Sequence, residues 1–298
     1  MKNRSIRPHR GIRNSRADRV FYGVNGVLMA LTFLLYAWPL WFVLISSFSD
    51  PNLVQAGQVL LLPKGFHLGG YKLILEYQDI LRGYLNSILY TVVGTALNLV
   101  MTICAAYPLS RSDFLPRKVL TVLFVFTMYF SGGLIPNFLV IKNLGLYDSR
   151  WAIILPTAVS TYNLIVMRTA FSSVPGALQE SACLDGANDF VILYRIYILC
   201  IRATMAVVCL FYAVSQWNSW FNSMIYLQSS SKWPLQLWLR EILINSASGG
   251  TSDDADALYL QELIRYAVII VATVPILVVY PYAQKYFMKG VMLGSVKG

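Results

Sequence analysis

Six stretches of this 298-residue chain are each long enough, and poor enough in charge, to cross a lipid bilayer as a helix. They run 21–47, 84–109, 119–140, 151–171, 199–227 and 263–287. The first three contain no charged residue, the fourth carries only Arg168 and the fifth only Arg202; the sixth is charge-free from 266 to 284. About 20 apolar residues span the roughly 30 Å hydrocarbon core as a helix, whereas barrel strands show as alternating segments of about ten residues. Because hydrocarbon offers no hydrogen bonds, the backbone must satisfy itself, and solid apolar runs do so as helices. Composition agrees. Hydrophobic residues make up 57% of the chain and charged ones 13%, against about 25% charged in a soluble domain, and mean hydropathy is +0.57. A soluble enzyme, a disordered chain and a fibrous repeat are thereby excluded. The expected fold class is an all-α integral membrane bundle of six transmembrane helices, with Ser131-Gly132-Gly133 and Pro136 loosening the outer part of the third.

The net charge of +10 is unevenly placed. Of the 24 Lys and Arg, sixteen lie in the tails and the loops on the same side as them; eight lie in the opposite loops, whose nine acids leave that side net negative. The positive-inside bias therefore predicts cytoplasmic termini. A basic tail over 1–20, with Arg4, Arg7, Arg10, Arg13, Arg16 and Arg19 at every third position, walks around a helix rather than marking one face. It reads as a topology determinant that attracts anionic membrane lipid; no nucleic-acid partner is expected, since no base-reading module is present. The apolar run after the tail is too long for a cleaved signal peptide.

Catalytic chemistry has no obvious seat. The two histidines, His9 and His67, lie outside the apolar runs, and no His–carboxylate or His–Cys set falls within one, so no catalytic or metal-binding residues are expected. Cys104, Cys183, Cys200 and Cys209 lack metal or disulfide spacing and read as small apolar residues. The helical cores hold no Asp or Glu, although proton-coupled carriers place an ionisable group at mid-membrane. The dipeptide Gly-Lys of a phosphate-binding loop occurs nowhere; if ATP is used, another subunit binds it.

One polar island interrupts the apolar pattern on the cytoplasmic side, over 172–198. Pro175 is suited to open a short helix, Ala177, Leu178, Ser181, Ala182 and Leu184 give it a small and apolar surface, and Gly186 permits the reversal that ends it. A second amphipathic stretch carries Phe190, Leu193 and Tyr194 at helical spacing. Glu180-Ser181-Ala182, then Gly186, then Ile196 resembles the EAA signature of binding-protein-dependent ABC importer permeases. Ser181 replaces the usual alanine, and Ile198-Leu199 stands where Leu-Pro is usual, so the proline-marked break is missing. Together with Trp217-Asn218-Ser219-Trp220-Phe221 and the tail from Tyr286 to Gly298, the chain is similar to maltose-transporter-type carbohydrate permeases, in the branch associated with complex oligosaccharides.

The resemblance implies a type I importer permease fold and a coupling helix over this loop. Glu180, Ser181, Ala182, Asp185, Gly186 and Ile196 would meet a cytoplasmic ATPase. The implied partners are a second homologous permease subunit, two ATP-binding-cassette ATPase subunits and an extracellular sugar-binding (lipo)protein. No cofactor is expected on this chain, with ATP and magnesium on the ATPase. The function so implied is ATP-driven import of a sugar or oligosaccharide by alternating access, without covalent chemistry. The alternatives are a non-carbohydrate solute or a free-standing secondary carrier.

Amides and hydroxyls match sugar hydroxyls as donors and acceptors, and intramembrane amides face a bundle interior or a watery cavity. Tyr162, Asn163, Gln216, Trp217, Asn218 and Ser219 are therefore the candidate substrate-pathway residues; packing and interfacial anchoring are the competing roles. The expected organisation is a cytoplasmic tail over 1–20, a permease domain over 21–288 with the coupling loop 172–198 and a long outside loop 228–262, and a cytoplasmic tail over 289–298. That outside loop, with Gly249-Gly250 and Asp253-Asp254-Ala255-Asp256, reads as a solvated excursion.

Overall fold

The computed structural model describes residues 15–247 and 255–295. Among them there are helices and turns but no strand, and the backbone divides into two compact units, Met1–His67 and Leu68–Gly298. The arginines at 4, 7, 10 and 13, the pair Gly249-Gly250, Asp253-Asp254 and the last three residues lie outside the described residues.

The first unit holds α1 (Arg16–Ser46) and α2 (Pro51–Gln55). Ser15 opens α1 with a capping box, its hydroxyl accepting from the Asp18 amide and its own amide donating to the Asp18 carboxylate. Beyond that turn α1 exposes large apolar side chains on all sides, as a helix bathed in lipid does. The chain then folds over its end: Asp50 caps α2 through the Asn52 amide, the Asp50 amide bonds the Lys64 carbonyl, and Phe48 stacks on Phe66.

The second unit is built around α4 (Gln78–Ser110). Before it lies α3 (Gly69–Glu76), and after it come α5 (Arg117–Tyr129), α6 (Leu134–Asn143), α7 (Trp151–Ile154), α8 (Thr161–Ser172), α9 (Gly176–Leu184) and α10 (Asp189–Ile192). A π-turn at Leu193–Tyr197 leads into α11 (Ile198–Cys200), followed by α12 (Arg202–Trp217), α13 (Phe221–Tyr226), α14 (Leu235–Ala247) and α15 (Ala255–Ser295). α4 packs against α8, α12 and α14, while α15 packs against α3, α12 and α14. Apolar side chains gather in three cores. One surrounds Tyr107, Phe171 and Tyr197 at the α9 end; the others surround Trp217 and Val268, and Tyr90 and Ile153, nearer the opposite end of α4.

The six expected spans are more broken than their apolar runs imply. α1, α4 and α15 (apolar over Glu262–Pro281) are uninterrupted. The third run stops at Tyr129 and turns by 116° into α6 through Gly133, whose φ of 87° suits glycine. The fourth splits, because Pro156 cannot donate a helical hydrogen bond and Ser160 caps a new helix, α8. In the fifth, Leu199 lies on a separate arm bent 85° from α12, and α12 itself ends at Trp217 before α13 begins. Among the described residues of segment 228–262, Ser230–Lys232 forms a 3-10 turn, α14 follows, and α15 begins at Ala255.

At the end of α4 remote from α9, Asp148 ties these pieces together. Its φ of 54° lies in the left-handed region, uncommon for a side-chain-bearing residue. Its carboxylate accepts from the Gln228 and Ser229 amides at 3.0 Å each, from the Ser229 hydroxyl at 2.5 Å and from Lys232 Nζ at 2.8 Å; Lys232 also donates to its carbonyl. The Lys232 ammonium first, then the Ser229 hydroxyl and amide, hold this carboxyl well below the usual carboxylate range.

Candidate functional site

A polar seam runs along one face of α4. Asn86, Tyr90, Gly94, Asn98 and Thr102 recur every fourth residue and are buried, as the helical period requires of one face. Thr102 shares a 2.7 Å hydrogen bond with the Tyr212 hydroxyl, which also accepts from the Ser160 amide at 3.0 Å. That links α4, α12 and the start of α8. Farther along, Gln216 Nε2 donates to Thr157 Oγ1 at 2.8 Å, and Thr157 lies in the break opened by Pro156. The Gln216 amide fits because position 94 is glycine.

Beside this seam lies a cleft of about 450 Å³, lined by Asn98, Thr157, Ser160, Tyr162, Asn163 and Tyr212 among others. Asn98 Oδ1 and Gln216 Oε1 are buried and have no hydrogen-bond partner among the described residues. A buried acceptor without a partner costs about 1–3 kcal/mol, and polar groups inside a membrane face a bundle interior or a water-filled cavity. The chemistry offered is amide and hydroxyl against the aromatic faces of Tyr162 and Phe211, whose rings lie 6.3 Å apart.

The six pathway candidates divide. Tyr162 and Asn163 line the cleft, and Gln216 reaches Thr157 at its edge. Trp217 points elsewhere: it is buried, its indole N–H donates to the Ala272 carbonyl at 3.1 Å, and its ring meets Tyr84 edge-on. Asn218 donates back to the Val214 carbonyl, and the Ser219 hydroxyl donates to the Gln216 carbonyl, so both finish the end of α12. Asn98, Thr102 and Thr157 were not among the candidates. The first two were detectable from their four-residue spacing in an otherwise apolar run; Thr157 has no such signal, because its role comes from the break at Pro156.

At the other end, α9 closes with a Schellman motif. Gly186, at φ 78°, donates to the Cys183 carbonyl at 3.0 Å, and Ala187 donates to the Ala182 carbonyl at 2.9 Å. Asn188 then caps α10 through the Val191 amide at 2.9 Å. The loop is tied to the bundle by Ala182, buried in the core around Tyr107 and Tyr197, by the half-buried Ile196 against the same core, and by the Tyr197 hydroxyl donating to Gln179 Oε1 at 2.9 Å. The small and apolar surface of α9 is thus divided: Ala182 faces in, while Ser181 and its neighbours Glu180, Asp185 and Gly186 are exposed. Leu184, Phe190 and Tyr194 project with 89%, 82% and 73% of their surface free. The break before α12 forms at Ile201 without a proline. Arg168, in α8, donates to the Leu109 carbonyl at 3.0 Å, so its charge bridges α8 to the end of α4.

Comparison with known proteins gives these two sites a common setting. No protein-family model matches the sequence. The polygalacturonan/rhamnogalacturonan transport system permease protein YtcP of Bacillus subtilis is 41% identical over 292 residues, covering 96% of this chain and 100% of its own. Protein LplC of the same species is 39% identical over 287 residues, covering 96% and 97%. Among solved structures, a bacterial ABC transporter involved in import of the acidic polysaccharide alginate matches with a TM-score of 0.85 and 34% identity over 92% of this chain and 98% of that one. Identity at this level over the full length of the relatives, with bundle and loop alike shared, leads to one conclusion: the chain belongs to the family of permease subunits of carbohydrate ABC importers, and is a multi-pass membrane transport subunit, not an enzyme.

Proposed function

We propose that this subunit moves an acidic oligosaccharide through the seam between α4, α8 and α12, driven from the cytoplasm through α9 and α10. The polar cleft at Asn98, Ser160, Tyr162, Asn163 and Tyr212 supports the path, and the polygalacturonan/rhamnogalacturonan system of YtcP and the alginate importer, both serving acidic polymers, support the substrate class. The single observation that carries the drive is the loop's two-sidedness: Ala182 and Gln179 hold it to the core while Leu184, Phe190 and Tyr194 stand exposed beside Glu180, Asp185 and Gly186. A surface of exposed aromatic and aliphatic side chains on a rigid, capped turn suits docking into a partner. That partner is an ATP-binding-cassette subunit carrying the nucleotide and magnesium, present twice. A second permease subunit completes the pore, and an extracellular sugar-binding protein delivers cargo.

The orientation is the one the positive-inside bias favours: tails 1–20 and 289–298 and loop 172–198 in the cytoplasm, 228–262 outside, in a bacterial cell membrane. Motion of α9 reaches the seam through Tyr197, Tyr107 and Phe171, whose rings contact one another at 5.3–6.0 Å. ATP-driven uptake by the reconstituted complex tests the reading. Transport by this chain alone, without ATPase or binding protein, overturns it.

A further inference from the structure

Near the Asp148 clamp, at the end of α4 opposite α9, lies a second and larger cleft of about 840 Å³. Three cationic side chains, Arg82, Arg150 and Lys232, line it together with a single carboxylate, Asp148. Asp148 is committed to Lys232 at 2.8 Å, and Arg82 makes a loose, exposed pair with Asp79 at 3.7 Å and a long hydrogen bond to Gln78 Oε1 at 3.4 Å. Arg150 is different. Its Nη2 donates to the Asn86 side-chain Oδ1 at 3.4 Å, and among the described residues it has no carboxylate partner. The loops assigned to this side are net negative overall, so the positive cleft runs against its surroundings.

We infer that this cleft is a carboxylate-reading site for a uronate-bearing oligosaccharide on its way into the pathway, with Arg150 as the principal charge and Arg82 at the rim. The inference rests on the reading of the chain as an acidic-oligosaccharide permease. Its wall supplies what a sugar acid needs. A guanidinium takes a carboxylate by paired, charge-assisted hydrogen bonds. The Ser149 and Ser231 residues offer hydroxyls to ring hydroxyls, and the half-exposed Trp151 indole offers an apolar face to the sugar C–H surface. The volume falls within the range of small-molecule sites, and the site is concave. Asn86 orients Arg150 from below, its own amide donating to the Ser231 and Trp233 carbonyls at 2.9 and 3.1 Å. Arg150, just ahead of α7, is thereby tied through Asn86 to α4, the helix that also carries the central seam.

The test is ATP-driven uptake by the complete reconstituted importer with its binding protein, using trigalacturonate and its fully methyl-esterified counterpart as probes. The binding protein is the same for every variant, so differences arise in the permease. Arg150→Gln raises the KM for trigalacturonate by about tenfold, the size of one lost charge-assisted contact, and leaves the KM of the ester unchanged; Arg150→Lys restores part of the difference. Arg82→Gln, an exposed position without a packing role, gives a smaller rise of about twofold that vanishes in high salt. Equal losses for both probes overturn the proposal, because they make the cleft a docking surface for the binding protein or Arg150 a support for Asn86. Unchanged KM in both arginine variants overturns it as well. A wild type that imports the ester and not the acid overturns the acidic class while leaving carbohydrate import intact, and one that imports neither overturns the substrate reading itself.

Discussion

The side-chain amide of Gln216 lies directly over Gly94: a Cβ at position 94 would stand 2.8 Å from both Cδ and Nε2 of Gln216. Two helices of the seam are thus joined through a residue with no side chain, and the Gln216–Thr157 hydrogen bond depends on that space.

Gly94→Ala is expected to reproduce Gln216→Ala. Either change breaks the bond to Thr157, leaving buried polar groups unpartnered at about 1–3 kcal/mol. Uptake falls about tenfold or more in both, and the double variant is no worse than either single one. Additive losses in a double-mutant cycle would show that the two positions act separately.

Tyr212→Phe removes one hydroxyl that serves Thr102 and the Ser160 amide together. The expected outcome is a fall of several degrees in the Tm of the purified complex, from about 1–3 kcal/mol of lost pairing, with insertion unaffected. An unchanged Tm would remove this hydroxyl from the account of how α4, α8 and α12 are joined.

Trp217→Phe and Asn163→Ala separate packing from pathway. Trp217 donates to Ala272 within a buried core, so its replacement lowers Tm and leaves KM as it is. Asn163 lines the cleft, so its truncation raises KM for the transported saccharide by about three- to tenfold, a hydrogen bond's worth. The reverse pattern would exchange the two roles.

At the coupling loop, Gly186→Val places a β-branched residue at φ 78°, costing about 1–2 kcal/mol and loosening the Schellman turn. Glu180→Lys reverses a charge on the exposed face. Both are expected to insert normally yet lose the stimulation of ATP hydrolysis by loaded binding protein, read as ATPase activity against uptake. Normal uptake in both would sink the docking assignment.

The clamp at Asp148 gives a pH signature. Because its folded-state carboxyl is held below the unfolded value of about 3.9, primarily by Lys232, the clamp's contribution is complete above that value. It is lost only as pH falls through the folded one. The difference in Tm between wild type and Asp148→Asn is therefore expected to be constant from about pH 8 to pH 5 and to shrink in stronger acid. A difference that grows on acidification would reverse the sign of this interaction.

The membrane class and the capped turn at Gly186 were readable from residue order because both rest on local rules. Hydrocarbon admits only helices and closed barrels, whose backbones satisfy themselves, and long charge-free runs select the helices. Gly186 is the one residue type that takes the left-handed turn without penalty, so its place after a short helix marks the helix end. The broken spans were only partly readable. Gly133 announced the turn after α5, but Pro156 stops a helix only because Ser160 is placed to start the next, and the break at Ile201 carries no breaker residue at all.

What the linear order determined by itself is therefore the solvent of this protein, its helical class and the position of its capped turn at Gly186, since each follows from forces between neighbours in the chain. What only the tertiary structure decided is which polar groups meet. Period four places Asn98 and Thr102 on one face of α4, but does not say that Tyr212 and Asn163 lie opposite, that Trp217 turns away into a core, or that Asp148 and Lys232, 84 residues apart, close on each other. Those pairings are set by how helices pack across the bundle, and packing is a property of surfaces brought together from distant parts of the chain.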